Sequence, residues 1–198
     1  MVQHRLLKPA DYRRMPWRNG AGRTTEIVVF PACAAPDAFD WRISIADVTK
    51  DGPFSRFTGV DRTMVLVAGA GIRLDGDGQA VSLTCLSEPY ALSGDAEVGC
   101  TLLDGPVRDF NLMVRRGRAR GQVTLIRGEG ALVAPAAVRL CYTATGAFEG
   151  LLAGHAPLTI AADHALLVEA DGGTALPFPR NPLTGDAVAV VAAIDDVR

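Results

Sequence analysis

The sequence predicts an all-β protein, and three observations carry that prediction. Few windows have a helical period, short apolar runs recur throughout, and Gly, Pro, Asp or Asn separates one run from the next. So many short strands with so little helix pack as a sandwich or barrel. In chain order, strands are expected over Thr24–Phe30, Trp41–Val48, Thr63–Ala68, Gly71–Leu74, Val81–Leu83, Tyr90–Leu92, Gly99–Leu103 and Asp109–Arg115. A second series follows over Gln122–Ile126, Val138–Thr143, Phe148–Leu152, Leu158–Ile160, Ala165–Glu169 and Ala187–Ala193. The best helical window is PADYRRM, opened by Pro9 and stopped by Pro16, enough for a turn or two.

The two series echo one another. RTMVLVAGAGIRLDGDG followed by PYALSGDAEVGCTLLDGP has a strand–Gly–strand–turn rhythm, and it returns loosely in VRLCYTATGAFEGLLAG followed by PLTIAADHALLVEADGG. The expectation is two related barrels, residues 1–117 and 118–198, with the boundary near Arg116–Gly121.

Composition narrows the function. At 198 residues the chain can bury a full core, and its formal net charge of −2 gives no global pull toward nucleic acid or an anionic membrane. Positive charge is almost all arginine, Lys8 and Lys50 being the lysines, and arginine suits forked recognition of carboxylates. Cys33, Cys85, Cys100 and Cys141 are widely spaced, which favours buried, reduced thiols over a disulfide framework. The first residues lack the apolar core of a signal peptide, and no run approaches the roughly 20 residues that span a bilayer. A cytoplasmic protein is expected. The basic run Arg115–Arg120 lacks interleaved aromatics and reads as a solvated connector, with no nucleic-acid partner.

Alternation along two strands supplies the candidate site. In WRISIADV, Trp41, Ile43 and Ile45 face one way and Arg42, Ser44 and Ala46 the other. In DFNLMVRR, Phe110, Leu112 and Val114 oppose Asn111, Met113 and Arg115. The mixed faces meet either solvent or a lumen built for a small polar ligand. Arg62 enters an apolar run beside Asp61, either as a turn-locking pair or as a fork for a carboxylate, with Phe54 and Phe57 as apolar walls. Around Gly20, Ala21 and Gly22 stand Asn19, Arg23, Thr24 and Glu26, but no G-K-[ST] follows and phosphate binding is not indicated.

A metal is not expected. The three histidines, His4, His155 and His164, have no ligand spacing, although His155, His164 and Glu169 could converge. Acid–base chemistry through Asp61, Asp109 or Glu26 stays open, with no paired-carboxylate or Ser–His–Asp arrangement.

MPWRNGAGRTTEI, FDWRISIADVTKDGPFSRFTGVDRTMVLVAGAG and LLDGPVRDFNLMVRRG, in that order over about the first 117 residues, resemble the signature blocks of the HutD/Ves family. The resemblance implies a bicupin, two double-stranded β-helix barrels in one chain, often a homodimer, with a genetic link to histidine degradation. By motif, the family pocket would draw on Asn19, Gly20, Thr24 and Glu26, on Trp41, Arg42, Ser44, Phe54, Phe57 and Arg62, and on Asp109, Asn111, Met113 and Arg115. Ala21 stands where the family usually has a glycine, and the C-terminal half matches only loosely.

The resulting expectation is a metal-free cupin, without a cofactor, that binds a small anionic metabolite such as N-formylglutamate or urocanate and regulates histidine utilisation. An enzyme acting on a related metabolite and a protein-interaction module are the alternatives.

Overall fold

The computed structural model describes residues 2–17, 19–76, 78–127, 136–150, 156–170 and 181–197. Their secondary structure is β throughout, and they divide into two compact units: Tyr12–Ala119, and Met1–Asp11 with Arg120–Arg198. The N-terminal strand β1 (Val2–Leu7), grouped above with residues 1–117, goes with the second unit because it pairs antiparallel with a strand there.

The Tyr12–Ala119 unit contains β2 (Arg13–Pro16), β3 (Gly22–Phe30), β4 (Trp41–Val48), β5 (Gly52–Pro53), β6 (Val60–Ala68), β7 (Gly71–Gly76), β8 (Gln79–Thr84), β9 (Tyr90–Ser93), β10 (Val98–Leu102) and β11 (Val107–Arg115). They form a six-stranded sheet, β2-β3-β4-β11-β6-β9, and a four-stranded sheet, β5-β10-β7-β8. The helical turn expected over PADYRRM is instead a tight turn and a strand. Asp11 closes the turn, its amide donating to the Lys8 carbonyl and its carboxylate accepting from the Lys8 amide. Arg13–Pro16 then extends along β3, where cross-strand pairing outweighs local helix preference.

Register explains how the sheet carries both a core and a polar patch. Opposite one another on one face lie Ser44 and Asn111, Arg42 and Met113, Met113 and Arg62, and Asn111 and Met64. Toward one end this face packs Ala46, Val48, Met64, Leu66 and Val107 against Ile72, Leu74, Val98 and Cys100 of the four-stranded sheet. Toward the other, Phe39, Val60 and Met113 pack with Val29, Ala34 and Phe57. The alternate residues Ile43, Ile45, Phe110 and Leu112 are buried as well, so neither face of the central strands meets solvent.

The other unit holds β12 (Ala119–Arg127), β13 (Val138–Thr145), β14 (Ala147–Gly150), β15 (Leu158–Ala161), β16 (Ala165–Ala170), β17 (Asn181–Pro182) and β18 (Val188–Asp196). Its sheets are β1-β16-β13-β18-β12 and β15-β14-β17. Cys141, Phe148, Ile160, Leu166, Val168, Ala189 and Val191 form its core. Leu151 and Leu152, expected to finish a strand, lie outside the described residues, as does His155.

The topologies repeat. In the first unit β6 lies between β9 and β11, and β7 between β8 and β10; in the second, β13 lies between β16 and β18, and β14 between β15 and β17. Each long hairpin strand slips register once, at Val67 against β11 and at Ala144 against β18, just before Gly69 and Gly146, both at positive φ. Arg62 and Arg139 stand the same distance upstream of those slips. Arg62 faces Leu92 and Met113, and Arg139 faces Val168 and Ala193. The sequence echo is thus matched strand by strand.

All four cysteines are free. Cys100 and Cys141 are buried as expected, but Cys33 and Cys85 are exposed. Among the described residues, no helix is long and apolar enough to cross a membrane.

Candidate functional site

A cavity of about 450 Å³ opens over the polar part of the inner face in the Tyr12–Ala119 unit. Its floor comes from the central strands: Arg42 and Ser44 from β4, Asp109, Asn111 and Met113 from β11, and Arg62 from β6. Phe54, Ser55 and Phe57, from the loop between β5 and β6, form one wall. Trp17, Asn19 and Thr24 form another, with the Trp17 indole N–H donating to Thr24 Oγ1 at 2.8 Å.

The floor is a buried charge network. Arg62 is 7% exposed and donates from Nη2 to Asn111 Oδ1 at 2.9 Å. The Asn111 amide in turn donates to Asp109 Oδ2, and Asp109 is 1% exposed. Two buried atoms in this network have no hydrogen-bond partner, Arg62 Nε and Asp109 Oδ1. The Arg62 guanidinium lies 5.3 Å from the Phe54 ring centroid and 5.9 Å from that of Phe57, so both rings face the cation. Arg42 Nε lies 2.8 Å from Glu26 Oε2, an ion pair too oblique to count as a hydrogen bond. Glu26 thus neutralises Arg42 from the edge of the floor, while among the described residues no carboxylate makes a direct hydrogen bond to Arg62.

Burial sets the proton affinities. Desolvation pushes the Arg62 guanidinium below the usual arginine range, with Asp109 opposing the shift and Arg42 adding to it. Desolvation likewise raises Asp109 to about 6, against the Arg62 charge and the Asn111 hydrogen bond, with Asp47 raising it further. A carboxylate that changes charge near neutrality therefore sits beside a cation that stays charged.

Ten of the sequence-chosen residues line this cavity: Asn19, Thr24, Arg42, Ser44, Phe54, Phe57, Arg62, Asp109, Asn111 and Met113. The other four are elsewhere. Glu26 is the ion-pair partner of Arg42 just described. Gly20 borders a separate depression with Gly22, Arg23, Asp47 and Arg108, where Arg23 and Arg108 both pair with Asp47. Trp41 stacks on Phe30, ring centroids 5.7 Å apart. Arg115 donates to the carbonyls of Phe39 and Asp37 and covers the Phe39 ring, which ties it into structure.

Arg116 is engaged as well, with Asp61 at 2.6 Å and with Asp95, while its side chain stays exposed. Asp61 and Arg62 are consecutive on β6 and point to opposite faces, so the Asp61–Arg62 turn lock does not form: Asp61 is exposed and pairs with Arg116, and Arg62 is buried. Sequence reasoning missed Pro16, Trp17, Ala46, Val48, Pro53 and Ser55 as lining residues. Ala46 and Val48 simply continue the alternation of Arg42 and Ser44, and Trp17 and Ser55 lie inside the quoted motifs.

The glycine-rich loop shapes one rim. A Cβ on Gly22 would fall 2.1 Å from the Asp47 carbonyl oxygen, so glycine there permits β3 to approach β4. Ala21 is not in the left-handed region and is buried, with its carbonyl accepting from Thr49 and its amide donating to Asn19 Oδ1 at 3.0 Å. Its departure from the usual glycine therefore costs no backbone strain. Among the described residues, no three His, Cys, Asp or Glu side chains gather to hold a metal ion. The cavity floor, with Arg42 and Arg62 on it, does not suit a resident cation.

Fold and site together define a cupin-like all-β protein whose cavity is floored by arginine rather than by histidine ligands. The chain belongs to the HutD family, whose model matches residues 9–181. It is 39% identical over 154 residues to an uncharacterised 21.2 kDa protein of the hutC 3' region in Pseudomonas putida, covering 78% of this chain and 80% of that one. It is 40% identical over 117 residues to Protein Ves of Citrobacter koseri, covering 57% of this chain and 60% of that one. Among solved structures, a conserved Pseudomonas aeruginosa PAO1 protein superimposes with a TM-score of 0.84 at 36% identity, covering 98% of this chain and 99% of that one. HutD from Pseudomonas fluorescens SBW25 does so with a TM-score of 0.77 at 28% identity, over the same shares.

Proposed function

We propose that the cavity binds a small carboxylate without a metal, and that binding reports on or limits histidine utilisation. The observation that carries the reading is Arg62: buried, walled by two aromatic rings, and left with an unpartnered Nε beside the cavity. A carboxylate entering the cavity would meet the Arg62 fork, with Arg42 alongside and Ser44 and Asn111 as directional polar neighbours. Phe54, Phe57 and Met113 exclude water and strengthen such charge-assisted contacts. N-formylglutamate and urocanate are the leading ligands. The hutC neighbourhood named for the Pseudomonas putida relative supports the pathway. The same reading takes each unit as a closed cupin barrel and the chain as a cytoplasmic homodimer.

The test is a thermal-shift series with chelator present, against N-formylglutamate, urocanate, histidine, glutamate and formate. A ligand at 100 times its Kd stabilises by about 2.7 kcal/mol, which is on the order of 5–10 °C for a chain of this size. The expected result is a selective shift with one carboxylate, and truncation by Arg62→Ala should weaken that ligand by roughly 2–5 kcal/mol. A flat panel, or an unchanged affinity in Arg62→Ala, rejects the reading.

Asp109 supports a second reading, proton-transfer chemistry on the bound metabolite. A buried carboxylate raised to about 6 beside a cavity is matched to general acid–base work. Turnover of the bound compound, lost in Asp109→Asn while binding persists, would identify the protein as an enzyme.

A further inference from the structure

The buried arginine of the second unit has no role in the cavity described above. Arg139 is 1% exposed, and its Nη1 and Nη2 are buried without a hydrogen-bond partner. A guanidinium taken out of water in this way is costly unless something satisfies it. Among the described residues, the carboxylate that acts on it is Asp195, which is exposed, accepts from the Ala137 amide at 2.7 Å and makes no ion pair with the arginine.

The second observation is the internal repeat. Arg139 occupies on β13 the register position that Arg62 occupies on β6, relative to the bulge, the glycine and both neighbouring strands. The residues that complete the network in the first unit are Asp109, Asn111 and Met113 on β11. Their counterparts on β18 are Ala189, Val191 and Ala193. The cation is kept, while the internal carboxylate and its amide bridge are replaced by side chains with no polar atom. Two of the three replacements are also smaller.

We propose that the unit of Met1–Asp11 and Arg120–Arg198 carries a second anion position at Arg139, taking a monoanion with an apolar body, a short aliphatic carboxylate being the simplest. The carboxylate supplies externally the charge that Asp109 supplies in the first unit. Arg139 donates from both Nη atoms, and Val168, Val191 and Ala193 contact the aliphatic part. The site is independent of the one at Arg62.

Calorimetric titration of the full chain with butyrate tests this. Butyrate is expected to occupy one equivalent at Arg139, kept in Arg62→Met and lost in Arg139→Met, in addition to any that the first cavity takes. Arg139→Met is also expected to melt higher than the wild type in carboxylate-free buffer, because an apolar side chain replaces an unsatisfied buried charge. Butyrate should narrow that gap. If Arg139→Met does not fold, Arg139→Lys, which keeps the charge and loses the fork, should weaken the second equivalent at least tenfold. If neither variant folds, Arg62→Met decides alone: one retained equivalent supports the second site, and none overturns it. Undiminished stoichiometry and affinity in Arg139→Met or Arg139→Lys also overturn it. Failure of the first-site reading looks different, as the carboxylate panel would then be flat or unaffected by Arg62→Met while butyrate binding at Arg139 persists.

Discussion

The two units share a strand order and an inward arginine, and they differ in what surrounds that arginine. In Tyr12–Ala119, Arg62 reaches Asp109 through Asn111 within one buried network. In the other unit Arg139 has alanines and a valine at the corresponding positions. Repeating the backbone fixed where a cation enters each core; the residues on one neighbouring strand then decided whether its counter-charge is internal. A scaffold repeated in this way can carry different side-chain chemistry at a few positions on β11 and β18 while its hydrogen-bonding ladder stays intact.

The largest expected effect comes from making the first unit resemble the second. Asp109→Ala removes the internal carboxylate and strands Arg62 in the core, which should lower stability by about 3–5 kcal/mol, as breaking a buried charge network typically does. Denaturant unfolding in carboxylate-free buffer measures it, and added carboxylate should restore part of the loss. If Asp109→Ala is as stable as the wild type, the carboxylate is no counter-charge for Arg62, and the contrast between the units is empty.

A pH series sharpens the same contrast. Asp109 titrates near 6 in the folded chain against an ordinary aspartate value of 3.8, so the folded state binds more protons between those values. Stability contributed by the protonated carboxyl is therefore full below about pH 4 and is lost as pH rises through about 6, a change of about 3 kcal/mol. Asp109→Asn should remove that slope. Protonation also takes a negative charge away from Arg62, so carboxylate affinity at the first cavity should strengthen from pH 7 to pH 5 and stay nearly flat in Asp109→Asn. Butyrate binding at Arg139, with no such neighbour, should lack that step. A matching step there would mean that the two arginines respond to a shared titration.

Much of the first site was legible from alternation, because a period of two assigns Arg42, Ser44, Asn111 and Met113 to one face without any structure. Their inward direction was not legible. A sheet buried on both faces gives the same alternation as one with a wet face, and only the burial of Arg42, Ser44 and Asn111 on the mixed face separates the cases. Arg115 continued the alternation of Asn111 and Met113 yet serves the Phe39 and Asp37 carbonyls, since at the strand end nearby backbone acceptors capture its fork. β1 and β2 were missed because their residues alternate weakly, and long-range pairing with β16 and β3 defines them. The repeat was audible in the glycine spacing, but the equivalence of Arg62 and Arg139 needed the ladder register.

The smallest expected effect tests whether the shared hairpin is equally constrained in both units. Gly69 and Gly146 follow corresponding bulges and have φ values of 94° and 67°, a region that disfavours residues with a Cβ. Space is short at both. A Cβ on Gly69 would lie 2.6 Å from the Pro106 carbonyl oxygen, and one on Gly146 would lie 2.2 Å from Thr184 Oγ1 and 2.8 Å from the Ala187 Cα. Alanine at either position should cost about 1–3 kcal/mol through strain and crowding together. The first clash is with backbone, and the closest in the second is with a side chain. Adding Thr184→Ala to Gly146→Ala should therefore recover part of the loss, whereas no single side-chain truncation should rescue Gly69→Ala. Equal rescue at both glycines would show that the hairpins differ in packing only superficially. No rescue at Gly146 would assign its cost to φ and to the Ala187 backbone, making the two turns equivalent in the way the two arginines are not.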